Sequence, residues 1–172
     1  MKQISKIFAF AFVMFAFSTG AFAQPGGATA TASATATIIT PIAIAKTVDM
    51  NFGNISVNAT AGTVIMTPAG TRSVTGGCTL PTPVGTVTAA SFTVTGVAGL
   101  TFGITLPATA TTITAVTNMT VDTWTSTPTP TGTLPGGTQT LTVGATLHVG
   151  ASQLAGVYTS GATPFTVRVD YN

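Results

Sequence analysis

Charged residues are almost absent from this sequence, and their scarcity excludes several classes of function. Only 5% of the 172 residues are Asp, Glu, Lys or Arg, glutamate does not occur, and His148 is the single histidine. Acid–base catalysis needs titratable side chains held close together, and a zinc site needs three or four Cys, His or carboxylate ligands. The sequence therefore predicts no enzyme, no catalytic residue, no cofactor and no metal site.

Cysteine occurs once, as Cys78. A single cysteine allows no intramolecular disulfide, so stability must come from packing and from hydrogen bonds between strands. A free thiol that bridges two molecules is one interpretation. A small buried apolar residue is the commoner state of a lone cysteine, and we expect that state here.

Long hydrophobic runs are missing after residue 23, and the run before it is short. Lys2 and Lys6 precede an apolar stretch, residues 7–17, which is followed by small residues up to Ala23. Such a stretch is too short to span a bilayer of about 30 Å but is typical of a secretory signal peptide. We therefore expect residues 1–23 to be a signal peptide, no membrane span after cleavage, and a protein secreted to the exterior or surface of the cell.

Cleavage after Ala23 also removes the basic character of the chain. The charges that remain are three basic and three acidic side chains: Lys46, Arg72, Arg168, Asp49, Asp122 and Asp170. No basic cluster is left, which argues against a nucleic-acid partner. A neutral chain has little electrostatic repulsion between copies, so self-association into a homo-oligomer or polymer is expected.

Helix-forming residues are scarce, whereas Thr and Val, whose branched side chains suit a pleated strand, are abundant. Apolar residues recur with period two, most regularly over residues 141–149 and 165–171. Gly, Pro and Asn separate such segments. The pattern predicts an all-β fold, an antiparallel immunoglobulin-like β-sandwich of about 8–10 strands, with a closed β-barrel as the alternative.

An alternating Ala/Thr segment precedes the predicted sandwich. Residues 28–37 place every Ala on one face and every hydroxyl on the other. We divide the chain accordingly into an N-terminal arm, residues 24–37, and a β-sandwich domain, residues 38–172. The arm is expected to be a strand, either the first of its own domain or collinear with it, although a simple tether is a further interpretation.

An extended arm can also add to the sheet edge of a neighbouring subunit. Alanine buries little apolar surface, so larger residues nearby are better donors for such an exchange. The candidates for strand exchange are Ile38, Ile39, Ile42 and Ile44.

Two features favour a different class of function, a ligand-binding module. Trp124 is near glycines and prolines, and an exposed indole could stack on a glycan. A buried core tryptophan is the favoured interpretation. Residues 127–137 contain three prolines and are expected to be an exposed loop that could present a binding surface.

The remaining polar candidates have simpler interpretations. Alternation places His148 on the face opposite Leu147, where a surface residue is expected. The oxygens of Asp49, Asn51 and Asn54 could bind calcium, but an Asx-type turn is the favoured interpretation.

Several segments together resemble one bacterial family. They are residues 36–44 (ATIITPIAI), 50–53 (MNFG), 76–80 (GGCTL), 90–96 (ASFTVTG), 104–107 (ITLP), 143–147 (VGATL), 156–158 (GVY) and 169–172 (VDYN). In this order they resemble the DUF4402 family over most of the chain from residue 28. The resemblance implies an exported domain with no assigned chemistry, similar in character to subunits of the spore coat U and chaperone–usher pilus group.

These expectations favour an exported structural subunit of a cell-surface fibre, coat or extracellular matrix, assembled by β-strand addition. The alternative is a monomeric surface adhesion or glycan-binding module. The expected partners are other copies of the chain, together with a surface glycan or an export chaperone.

Overall fold

The protein is all β in the computed structural model, which describes residues 26–172. The expected signal peptide and the first two residues of the arm lie outside the described residues. Ten strands form within the described part. They are β1 Ala43–Val48, β2 Ser56–Met66, β3 Arg72–Thr79, β4 Ala90–Thr95, β5 Thr101–Thr105, β6 Thr111–Thr114, β7 Asn118–Thr127, β8 Thr131–Thr133, β9 Thr138–Val149 and β10 Arg168–Tyr171.

The alternation of apolar and hydroxyl residues produces these strands, and β9 shows it most clearly. Leu141, Val143 and Leu147 are almost completely buried, whereas the residues between them, mostly threonines, belong to the opposite face. A slip of one residue would expose the whole apolar face, so burial of that face fixes the register. The strand predicted over residues 141–149 is therefore confirmed.

Strand β9 is the centre of a seven-stranded antiparallel sheet. On one side it pairs with β7, which pairs in turn with β6. On the other side its first half pairs with β4 and its second half with β2. The sheet therefore forks into a β4–β1 branch and a β2–β3 branch.

Glycine is required at the fork. Gly144 lies between the part of β9 that pairs with β4 and the part that pairs with β2. A Cβ on Gly144 would stand 2.3 Å from the carbonyl oxygen of Met66, the last residue of β2. No side chain fits this contact unless the backbone moves.

The second sheet has three strands in the order β10–β5–β8. Phe102 and Val169 of this sheet share one buried cluster with Val94 and Leu141 of the larger sheet. Side chains from two sheets thus meet in a common core, as predicted for a sandwich. Both sheets are open and end in edge strands, so the β-sandwich is confirmed and the alternative closed architecture is not observed.

A second buried cluster lies against the β2–β3 branch. Its buried members are Val64, Cys78, Met119, Val121, Ala145, Leu147 and Val149. Cys78 is only 4% exposed, as expected for a lone cysteine. Met50 and Trp124 contact both clusters, so they join the two parts of the core.

The arm does not form the strand that its alternation predicts. Residues 26–41 are exposed and belong to no strand, and β1 begins only at Ala43. The alternating Ala side chains bury too little apolar surface to hold an extended segment against a sheet. Residues Ile38–Asn172 form one compact unit.

Residues 127–137 are also not the exposed loop that their prolines and glycines predict. Strand β8 lies within this segment and pairs with β5, and the side chain of Leu134 is 0% exposed. At Gly132 a Cβ would stand 2.3 Å from the ring of Phe102. A three-residue strand is too short to show a period of two. The prolines and glycines around it therefore lead to the prediction of a loop.

Candidate functional site

The four isoleucines predicted to exchange strands fall into two pairs. Ile38 is 97% exposed and Ile39 is 46% exposed. Ile42 and Ile44 are partly buried and pack against the core cluster shared by the two sheets, and Ile44 lies opposite Val94 in the β1–β4 ladder. Only the first pair is therefore free to contact another molecule without unpacking the domain.

One hydrogen bond fixes the point at which the arm leaves the domain. The hydroxyl of Tyr171, in β10, donates to the backbone carbonyl of Thr40 at 3.1 Å. The same hydroxyl accepts a hydrogen bond from the backbone N–H of Val97 at 2.8 Å. Ile38 and Ile39 immediately precede this anchored residue.

The sheets offer several edges to which a strand could add. Among the described residues, β1, β3, β6, β8 and β10 each pair with another strand on one side only. An unpaired edge presents backbone N–H and C=O groups that a strand from another chain can bind.

The candidate stacking residue, Trp124, is partly buried and packs against both core clusters. Its indole is stacked on Phe165, with ring centroids 4.4 Å apart and an interplanar angle of 35°. Its Nε1 atom is buried and has no hydrogen-bond partner among residues 26–172. A β-bulge turns this residue inward, because Thr123 has a φ of 50° and the β7–β9 register shifts between Asp122 and Thr125. The arrangement favours the core interpretation over an exposed platform.

His148 and Asp122 come together on the outer face of the large sheet, which the sequence did not indicate. The Nε2 atom of His148 donates to Oδ1 of Asp122 at 2.8 Å, and both side chains are substantially exposed, at 45% and 38%. This hydrogen bond lowers the pKa of Asp122, desolvation opposes it, and the hydroxyl of Thr123 lowers the pKa further. The two residues lie on the adjacent strands β7 and β9. The register between two strands cannot be read from the sequence of either strand alone.

The oxygen cluster near the end of β1 forms a turn, as predicted. Oδ1 of Asn51 accepts a hydrogen bond from the N–H of Gly53 at 2.8 Å, and Gly53 has a φ of 66°. Asp49 instead binds Lys46, with Nζ and Oδ1 2.8 Å apart. No three His, Cys, Asp or Glu side chains within residues 26–172 come close enough to hold a metal ion.

Threonine dominates the outer face of the large sheet. Five cross-strand pairs are threonine on threonine: Thr93–Thr140, Thr95–Thr138, Thr127–Thr142, Thr112–Thr120 and Thr63–Thr75. The two hydroxyl oxygens of the last pair are 2.7 Å apart. Each hydroxyl offers a donor and an acceptor without charge, so the face is polar yet nearly neutral.

Of the comparisons with known proteins, the scan against family models gives a match. The part of the chain described here, residues 26–172, contains no helix that could cross a membrane. No curated protein and no solved structure matches the chain. The sequence model described as "Domain of unknown function (DUF4402)" matches residues 42–171, which cover nearly the whole sandwich. The chain therefore belongs to the DUF4402 family.

Proposed function

We propose that this protein is an exported structural subunit of a bacterial cell-surface fibre, coat or extracellular matrix, and that it assembles by adding a strand to a neighbouring subunit. The proposal includes the secretory signal peptide expected over residues 1–23. It also includes the general likeness to spore coat U and chaperone–usher pilus subunits that the sequence suggested.

The observation that carries the proposal is the state of the arm. Residues 26–41 are exposed and have no strand partner within residues 26–172, and Ile38 presents nearly its whole side chain to solvent. Exposure of an apolar side chain to water is unfavourable, and its burial stabilises a complex. The sheet edges described above supply the complementary groups, so one molecule carries both a donor and an acceptor.

The charge distribution also supports assembly. Each aspartate has a basic partner: Asp49 binds Lys46, Asp122 binds His148 and Asp170 binds Arg168. Paired and sparse charges leave little repulsion between copies. Assembly by backbone hydrogen bonds requires no charged contact, which suits this surface.

A monomeric glycan-binding module has less support in the structure. Trp124 is partly buried and packs against Phe165 and both core clusters, and residues 127–137 contain a strand and a fully buried leucine. Both features on which that alternative depended thus contribute to the fold.

Electron microscopy of the exported protein tests the proposal. We expect polymers or sheets from the full chain, and mostly monomers by size-exclusion chromatography after deletion of residues 28–39. Ile38→Asp should weaken assembly in the same direction, because strand addition would bury a charge. Val157→Asp is the matched control, since Val157 is 85% exposed outside the arm. Monodisperse monomers from the full chain, or unchanged assembly after the deletion, would contradict the proposal.

A further inference from the structure

A groove opens between the start of β6 and the chain that leads into β10. Its volume is about 450 Å³, and it is lined by Pro107, residues 109–112 and residues 163–166. This volume lies in the range of roughly 300–1,000 Å³ that is typical of ligand pockets. None of the lining residues carries a charge. The groove is therefore suited to an uncharged occupant.

One wall of the groove is the free edge of β6. Thr114 exchanges two backbone hydrogen bonds with Thr159, at 2.9 and 3.2 Å, and so directs its N–H and C=O away from β7. In an antiparallel pair, alternate residues direct these groups to the same edge. Thr112 thus directs its N–H and C=O toward the groove, where no backbone partner exists among the described residues.

The opposite wall is an extended segment that belongs to no strand. Residues 164–167 precede β10 and form no backbone–backbone hydrogen bond within the described part of the chain. Their burial alternates in the manner of a strand, with Phe165 and Val167 inward and Thr166 outward. The two walls are therefore strand-like segments that both lack a partner on the groove side.

Phe165 provides an apolar surface in the groove. It lines the groove and packs behind against Trp124 and Phe92, with ring centroids 4.4 and 6.4 Å away. A strand placed between the walls would direct every second side chain toward this ring.

From this arrangement we infer that the groove receives the N-terminal arm of a second copy of the chain, with Ile38 as the residue that anchors it at Phe165. The inference rests on the proposed function, and it identifies the groove as the site that accepts the added strand. The arm fits the groove in chemistry: residues 28–38 carry no charge, and their even positions form one apolar face of Ala residues that ends in Ile38. The odd positions would direct hydroxyls to solvent.

The chain's own Ile38 does not occupy this position. Its side chain is 97% exposed, so it does not pack against the ring of Phe165. We therefore assign the Ile38 at Phe165 to another molecule.

Photo-cross-linking of the assembled protein tests the inference. The residue p-benzoylphenylalanine is placed at position 38, the polymer is irradiated, and adducts are mapped by mass spectrometry in a mixture of isotopically light and heavy chains. We expect adducts within residues 109–112 or 163–166, and joined light and heavy peptides. Adducts elsewhere in a polymer that still forms, or adducts confined to one chain, would overturn the groove assignment and leave the proposed function standing.

A pair of substitutions gives a second measurement. Thr112→Pro removes the N–H that faces the groove and should reduce polymer yield roughly tenfold or more, since proline blocks a strand ladder at that edge. Thr112→Val keeps the N–H and the side-chain shape and should assemble normally. The far-ultraviolet circular dichroism and melting temperature of each monomer establish that both variants fold. Equal assembly of two folded variants would refute the inference, whereas a wild type that never polymerises would refute the proposed function as well.

Discussion

Gly144 is a single residue on which the fork of the large sheet depends. We expect Gly144→Ala to lower the free energy of unfolding by about 1–3 kcal/mol, as overpacking does, because the new Cβ would stand 2.3 Å from the carbonyl oxygen of Met66. Urea titration of the two proteins measures the change. Gly136→Ala is the control, since a Cβ there meets nothing within 4 Å. A Gly144→Ala protein as stable as this control would show that β2 and β9 can separate at the fork.

The His148–Asp122 pair makes a prediction about pH. The pKa of Asp122 is lowered in the folded state, so the pair stabilises the fold above the ordinary aspartate pKa and the contribution is lost as pH falls through the folded value. His148→Ala should raise the pKa of Asp122 toward its ordinary value. Because both groups are exposed, the loss of stability at neutral pH should stay below about 1 kcal/mol.

The carboxyl resonance of Asp122, followed by NMR from acidic to neutral pH in both proteins, measures this shift. The Asp170 resonance is an internal reference, because Asp170 pairs with Arg168. Both of these residues lie in β10, away from the β7 and β9 strands that carry Asp122 and His148. An Asp122 titration curve that does not move in the variant would show that the contact with His148 is not maintained in solution.

Individual strands can be predicted from the sequence where apolar residues alternate over a long segment. Strand β9 was predicted because five apolar residues alternate within it. Strand β8 was missed because three residues show no period, and its neighbour Leu134 is buried although it stands alone among turn-forming residues. For the arm the prediction was wrong in the opposite direction, because a strand was predicted where none forms. Its alternation is regular, but alanine and threonine side chains bury too little apolar surface to hold the segment on a sheet.

The candidate site was predictable only in part for a related reason. The isoleucines near the arm could be found from their size, but the division between exposed Ile38 and packed Ile44 depends on the β1–β4 ladder. The groove and the His148–Asp122 contact depend on which strands become neighbours. Register between distant strands is set by the packed core as a whole, so one chain segment does not contain it.

At the scale of the whole molecule, residues 26–172 form two open sheets, and the sequence has few charges and one thiol. These features limit the kinds of contact through which copies of the chain could associate. Ionic contacts are few because each aspartate already binds a basic side chain of its own chain. The thiol of Cys78 lies in the cluster beneath the β2–β3 branch. For the proposed assembly, this leaves backbone hydrogen bonds at sheet edges and burial of the arm's apolar residues as the available forces.

The state of Cys78 tests this account of the whole molecule. The side chain is 4% exposed and burial raises the pKa of its thiol, so little reactive thiolate forms at neutral pH. We expect Ellman's reagent to modify Cys78 at least about tenfold more slowly in the folded protein than in urea, since the native fold must open first. Polymers should also keep their length in dithiothreitol. A fast native reaction, or polymers that fall apart under reduction, would point instead to Cys78 as an intermolecular bridge and would remove the arm from its central role in assembly.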